Sequence, residues 1–195
     1  MFKLTKIVGI IGTNAKHSNN KVLLNYMKKR YSKNGQSLSV LGINDIPLFS
    51  EDQLKETLPR PVTHLYQVIE DADGVIISTP EYDHSVTSAL KSVLEWISSD
   101  KKKIFYHKPV MLVGASFGIQ GTARAQSAAR QILNSPNLTA DVLSGNEFLL
   151  SYAFKQFDKQ GNINNPGTVK FLDQCFSEFL SSIKMHKDFK ENKSN

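Results

Sequence analysis

Short apolar runs alternate with helix-length amphipathic runs along most of the chain, and that rhythm restricts the folds open to it. Lys6 to Ile11 reads as a strand. Asn20 to Tyr31 reads as a helix, with Val22, Leu23, Tyr26, Met27 and Arg30 near one face. A second strand covers Gln36 to Ile43, after the turn signal Asn34-Gly35. A long loop holding Pro47, Pro59 and Pro61 then leads to a helix over Val62 to Ala72. Next come a strand over Gly74–Thr79, a helix near Thr87–Ser98, a strand over Val110–Ala115 and a helix near Thr122–Asn134. A strand pair, Ala140–Leu143 and Glu147–Leu150, precedes a helix from Pro166 to Met185. Alternation of this kind predicts an α/β fold, a parallel doubly wound sheet with helices on both faces. One domain over residues 1–186 is expected, with a polar tail over 187–195 that frays.

Composition narrows the function classes. A chain of 195 residues is long enough for one sizeable core, and no apolar run approaches the ~20 residues of a membrane helix. The opening MFKLTKIVGIIG ends in Gly-Thr-Asn rather than a small-x-small cleavage site, so it reads as a first strand and not a leader. Cys175 is the single cysteine; it excludes an internal disulfide, sits in an apolar helical stripe as a packing residue, and fits a reducing cytoplasm. The net charge of +6 suits phosphate-bearing small molecules. The charges are scattered, without the aromatic-interleaved basic stripe of a nucleic-acid binder, so neither a nucleic-acid nor a membrane partner is expected. Lys101-Lys102-Lys103 reads as a solvated loop or a nucleotide phosphate contact.

Right-handed crossovers bring the loops after the first, third and fourth strands to one sheet edge, where strand ends and helix N-termini leave a crevice for ligands. The first loop, Gly12 to Asn20, feeds directly into a helix. Its backbone N–H groups and positive dipole end suit a phosphate, with Thr13, Ser18 and Asn20 as donors and Lys16 as a nearby cation. An ordinary N-cap by Ser18, Asn19 or Asn20 would account for the same residues. In the central loop Pro80 turns the chain out of its strand. Tyr82 offers a flat ring there, and Asp83, His84 and Ser85 offer polar tips, a set that suits a flat heterocycle with polar edges. Glu81 reads as a structural carboxylate or a general base. The third loop holds Gly114, Gly118 and Gly121 around Ser116, letting backbone approach a ligand closely.

Several chemistries are disfavoured. Neither G-x-x-x-x-G-K-[ST] nor G-x-G-x-x-G is present, against a P-loop enzyme and a Rossmann dehydrogenase. The histidines, His17, His64, His84, His107 and His186, show no paired metal-ligand spacing, and no nucleophilic triad is evident.

The three loops together carry a family resemblance. GTNAKHSNNKVL, DIPLFSED, STPEYDHSVTSALKSVLEWIS and KPVMLVGASFGIQGTARAQSAARQIL, spread over Lys6 to Leu150, resemble the NAD(P)H-dependent FMN reductases, the flavodoxin-like group that includes azoreductases and quinone or chromate reductases. The resemblance implies a single three-layer flavodoxin-like domain with a five-stranded parallel sheet in the order 2-1-3-4-5. It implies noncovalent FMN, with Thr13, Ser18 and Asn20 at the phosphate and Lys16 nearby. Pro80, Glu81, Tyr82, Asp83, His84 and Ser85 would lie along the ring and ribityl chain, Ser116 and Gly118 at the pyrimidine side, and Gly121 would shape its loop. The chain departs from the pattern at Ala15, where arginine is common, at Asp83, where asparagine is usual, and at Thr87-Ser88, where Pro-Gly is usual. Lys16 replaces a guanidinium fork by a point charge, and Asp83 removes a donor. Thr87 or Ser88 can cap the following helix.

The implied activity is transfer of hydride from NAD(P)H, through FMN, to a quinone, an azo compound, free flavin or a similar small acceptor, in ping-pong order and without a protein nucleophile. Backbone N–H groups near Ser116–Gly118 would stabilise developing negative charge. An electron carrier without turnover of its own, or a flavin-free protein on the same scaffold, are the alternatives. A homodimer or a tetramer is expected, through Leu90, Val93, Leu94, Trp96 and Ile97 and through Ala125 to Leu133. The same residues could instead fill the protomer's own core.

Overall fold

The computed structural model describes residues 4–145 and 147–194; residues 1–3 of the expected domain and residue 195 of the expected tail lie outside it. The elements run β1 (Thr5–Ile11), α1 (Asn19–Tyr31), β2 (Gln36–Leu41), α2 (Arg60–Asp71), β3 (Gly74–Ser78), α3 (Ser88–Ser98), β4 (Pro109–Ala115), α4 (Ala123–Leu133), β5 (Asp141–Val142), β6 (Phe148–Leu150) and α5 (Pro166–Ser194). Every pairing in the sheet is parallel, in the order β2-β1-β3-β4-β5. The α/β architecture and strand order are those expected.

The apolar runs of β3 and β4 are buried at every position because both faces of the sheet are covered. Side chains alternate between two cores. Ile7, Ile76, Met111 and Val113 pack with Leu23 and Met27 of α1 and with Phe176 and Phe179 of α5. Val8, Ile10, Val75, Ile77 and Leu112 pack on the other face with Leu65 of α2, Leu94 of α3 and Leu133 of α4. Cys175 is a buried core residue whose thiol burial raises to about 11, which makes it unreactive at neutral pH.

Three features differ from the sequence reading. The fifth position of the sheet is divided. β5 pairs with Pro109 and Val110, the chain leaves the ladder after Val142, and β6 rejoins β4 opposite Val113 to Ala115. Arg130 of α4 holds this excursion, donating to the Leu143 carbonyl and approaching Glu147 at 3.7 Å. Second, α5 does not stop at Met185 but continues to Ser194, and Lys187 pairs with Asp73 at 2.8 Å. Third, the apolar residues assigned to an oligomer interface are interior: Leu90, Val93, Leu94, Trp96 and Ile97 are all buried, as are Ala125, Ala129 and Leu133. Trp96 donates its indole N–H to the Pro47 carbonyl at 2.8 Å and meets Phe49 edge to face. The loop between β2 and α2 therefore covers α3.

Candidate active site

The loops after β1, β3 and β4 meet at the C-terminal edge of the sheet and enclose a cleft of about 530 Å³. Its first wall is the start of α1. Ser18 is the N-cap, in extended backbone, and its hydroxyl accepts from the Asn20 N–H at 3.2 Å. No acidic residue occupies the first turn, so the positive end of the helix is uncompensated by its own side chains. Lys16, His17, Lys21 and Asn25 line the same wall. Lys21 and Asn25 lie four residues apart on α1, a helical spacing present in the sequence but beyond the loop that ends at Asn20.

Asn20 faces inward. Its side-chain Nδ2 donates to the Ala115 carbonyl at 2.9 Å, and its Oδ1 accepts from the Ala115 N–H at 3.0 Å and from the Ser78 hydroxyl at 2.9 Å. The amide thus acts as one more strand residue beside β4, while Asn20 still lines the cleft. Thr13 is also buried, its hydroxyl accepting from the Ala15 N–H. It opens into an adjoining groove that shares Lys16 and Lys21 with the main cleft.

The central loop supplies the second wall, through Pro80, Glu81 and Tyr82. Tyr82 and Ser85 exchange two backbone hydrogen bonds, and both residues between them, Asp83 and His84, have positive φ. This is the two-residue I′ geometry, which requires left-handed backbone at both positions. Asp83 therefore occupies a turn position that asparagine, aspartate and glycine tolerate best, and its departure from the family pattern keeps the turn. Asp83, His84 and Ser85 lie beyond the cleft lining. At the base of the loop Thr87 caps α3, accepting from Leu90 N–H at 2.9 Å and donating to the Gly12 carbonyl at 2.8 Å. The architecture survives the loss of the usual Pro-Gly pair, as expected.

Glu81 has a structural task. One carboxylate oxygen accepts from the N–H groups of Arg124 and Ala125, at 2.9 and 3.3 Å, and the other from the Arg124 guanidinium at 3.2 Å. It caps α4 from a different loop, because Thr122 at that helix's N-cap position is left-handed and makes no side-chain cap. The role as a base is not what this geometry favours.

The third wall is Ala115, Ser116 and Phe117. The Ser116 N–H is taken by the Leu150 carbonyl at 3.0 Å, so it does not serve as the expected anion donor. Among the described residues, none accepts from the N–H groups of Phe117 or Gly118. A side chain at Gly118 would meet nothing within 4 Å, so this backbone faces open space. Gly121 is left-handed and presses on Leu149, where a Cβ would come within 2.8 Å. It shapes the loop without lining the cleft.

A family model described as NADPH-dependent FMN reductase matches residues 5–155. The chain belongs to that family. Among its relatives is a protein of Vibrio ruber named NADH:(hydroxy)cinnamate reductase subunit CrdA, 41% identical over 91% of this chain and 87% of that protein. The NADH-dependent flavin reductase subunit 2 of Lactobacillus johnsonii is 40% identical over 91% of this chain and 97% of its own length. The solved structure of FerB, a flavoenzyme NAD(P)H:(acceptor) oxidoreductase of Paracoccus denitrificans, superposes with a TM-score of 0.83. It covers 94% of this chain and 99% of that one at 24% identity, a likeness of fold. This FMN reductase family member is thus an oxidoreductase, with FMN as cofactor and a reduced nicotinamide nucleotide as reductant.

The cleft fits that cofactor. Its α1 end offers a helix N-terminus with Lys16 and Lys21 for an anion, and its other end offers flat side chains and unpaired backbone N–H groups. A volume of about 530 Å³ lies within the range of small-molecule sites.

Proposed function

We propose that the cleft holds FMN noncovalently, phosphate toward α1 and ring between the central and third loops, and that this reductase passes electrons from NAD(P)H to a small acceptor such as a quinone, an azo compound or free flavin. The convergence of the three loops into one cleft, basic at the α1 end and flat-walled at the other, carries this reading. Ser18, Lys16 and the first N–H groups of α1 would hold the phosphate, with Lys21 as a second cation. Pro80 and Tyr82 would flank the ring, and the Phe117 and Gly118 N–H groups would face its pyrimidine edge. When bound, FMN supplies the hydride chemistry at its N5. The chain binds, orients and presents one open face, and the oriented backbone donors favour negative charge on the ring without titrating. Nucleotide and acceptor would use that same face in turn, so ping-pong kinetics follow.

The protein should purify yellow or bind added FMN, and oxidise NAD(P)H only with flavin present. Colourless protein with neither FMN binding nor FMN-dependent NAD(P)H oxidation would overturn the reading. Fast reduction of the loaded protein by NADPH in stopped flow separates an enzyme from an electron carrier.

Association is proposed through the cleft rim, not through α3. Phe117 is 69% and Phe154 56% exposed, and their rings lie 6.1 Å apart beside exposed Ile119 and Tyr152. A homodimer that covers this patch would also narrow the cleft mouth. A cytoplasmic location is proposed from the cysteine usage, a single buried Cys175 with no second cysteine for a disulfide.

A further inference from the structure

A second cleft, of about 740 Å³, lies at the opposite edge of the sheet, where β4 and β5 begin. It shares no lining residue with the first. One wall is the last part of α5, where Ser182, Met185, His186 and Phe189 recur at helical spacing. The facing wall is Tyr106 and His107, in the loop before β4, with Asp141 at the start of β5. Much of this cleft exists only because α5 runs past Met185.

Three large apolar side chains here stand open to solvent: Tyr106 is 55%, Met185 66% and Phe189 58% exposed. Two aromatic rings and a flexible thioether around a concavity, with a few convergent polar groups, form the kind of surface that takes a small aromatic molecule.

The polar groups favour an anion. Asp141 is the one carboxylate among the described lining residues, and it is engaged by His107 at 2.9 Å. Lys190 also lines the cleft. Lys108 lies close by, its ammonium donating to the Ile69 and Ala72 carbonyls at the end of α2, at 2.5 and 2.7 Å. Burial and the Lys190 charge hold His186 below its ordinary value against the pull of Asp141, with Lys108 and His107 adding to the effect. Around His186 stand Lys190, Lys108 and His107 against the Asp141 carboxylate, with Asp73, Glu70 and Asp71 near Lys108, so the Lys190 and His186 side is where an anion would be favoured.

We propose that this second cleft binds an aromatic monoanion, its ring between Tyr106 and Phe189 and its carboxylate toward Lys190 and His186. Calorimetric titration of the FMN-saturated full chain with 2-naphthoate, alongside neutral 2-naphthalenemethanol, tests it; the same titration on FMN-free chain keeps the result independent of the flavin reading. Naphthoate should bind at least tenfold more tightly than the alcohol. Met185→Glu, at an exposed position, should weaken naphthoate at least tenfold, and Tyr106→Ser, on the other wall, several-fold. Bound naphthoate should raise the His186 titration midpoint measured by NMR. Equal affinity for the two probes, or naphthoate binding unchanged in both variants, would overturn the proposal. So would binding that FMN abolishes, since it would then belong to the first cleft.

Discussion

Asn20 pairs in both directions with the backbone of Ala115 and takes the Ser78 hydroxyl as well. Replacing it by alanine leaves three buried polar groups without a partner, so Asn20→Ala should lower unfolding free energy by about 2–3 kcal/mol in urea titration. The sequence shows a small polar residue at a helix start, but not which way it turns, because its partners lie 58 and 95 positions away. Lys108 is a second case of a residue whose surroundings only the fold defines. Burial, reinforced by the Lys190 charge, pushes its ammonium down to about 8, while the unfolded chain keeps the ordinary 10.5. Between these values the unfolded chain holds a proton that the folded chain has released, so stability should rise with pH by up to about 1.4 kcal/mol per unit. Lys108→Met should lack that rise in denaturation curves compared between pH 8 and 9.5. Above ~10 the phenols of buried Tyr31 and half-buried Tyr66, raised from their ordinary values, turn the slope the other way.

The elements were legible wherever periodicity alone defines them. Strands β1, β3 and β4 fall within a residue or two of the expected limits because buried strands need continuous apolar runs. The end of α5 was not legible: past Met185 the chain reads as a polar tail, yet Lys187 reaches Asp73 and Phe189 joins an apolar face. The divided fifth strand was half legible, as two short runs whose shared neighbour could not be seen. Capping of α4 crosses between loops and leaves no local signature, since its cap, Glu81, precedes the helix by some 43 positions. Glu81→Ala should cost about 1 kcal/mol in stability through the lost cap. Freed from α4, the Pro80–Tyr82 wall should hold FMN several-fold more weakly, read by fluorescence quenching at constant pH. Unchanged FMN affinity would mean that the wall is held by its own turn.

At the scale of the whole molecule, alternation of strands and helices was enough to give the layers, the strand order came with the family resemblance, and three loops were enough to point to the sheet edge that holds the candidate site. What encloses that edge was not readable, because the apolar residues of α3 look like interface residues until the β2–α2 loop is seen to cover Trp96. If the exposed rim of Phe117, Ile119, Tyr152 and Phe154 is the contact surface, sedimentation should show a dimer that Phe154→Lys shifts toward monomer. The Asn20 clamp has one more implication, for the order in which the molecule is made. It closes only after α1, β3 and β4 have found one another, so a chain that ends before β4 has no such clamp. With FMN in the cleft as proposed, excess FMN should slow proteolysis of the whole chain while leaving chains that end before β4 undefended.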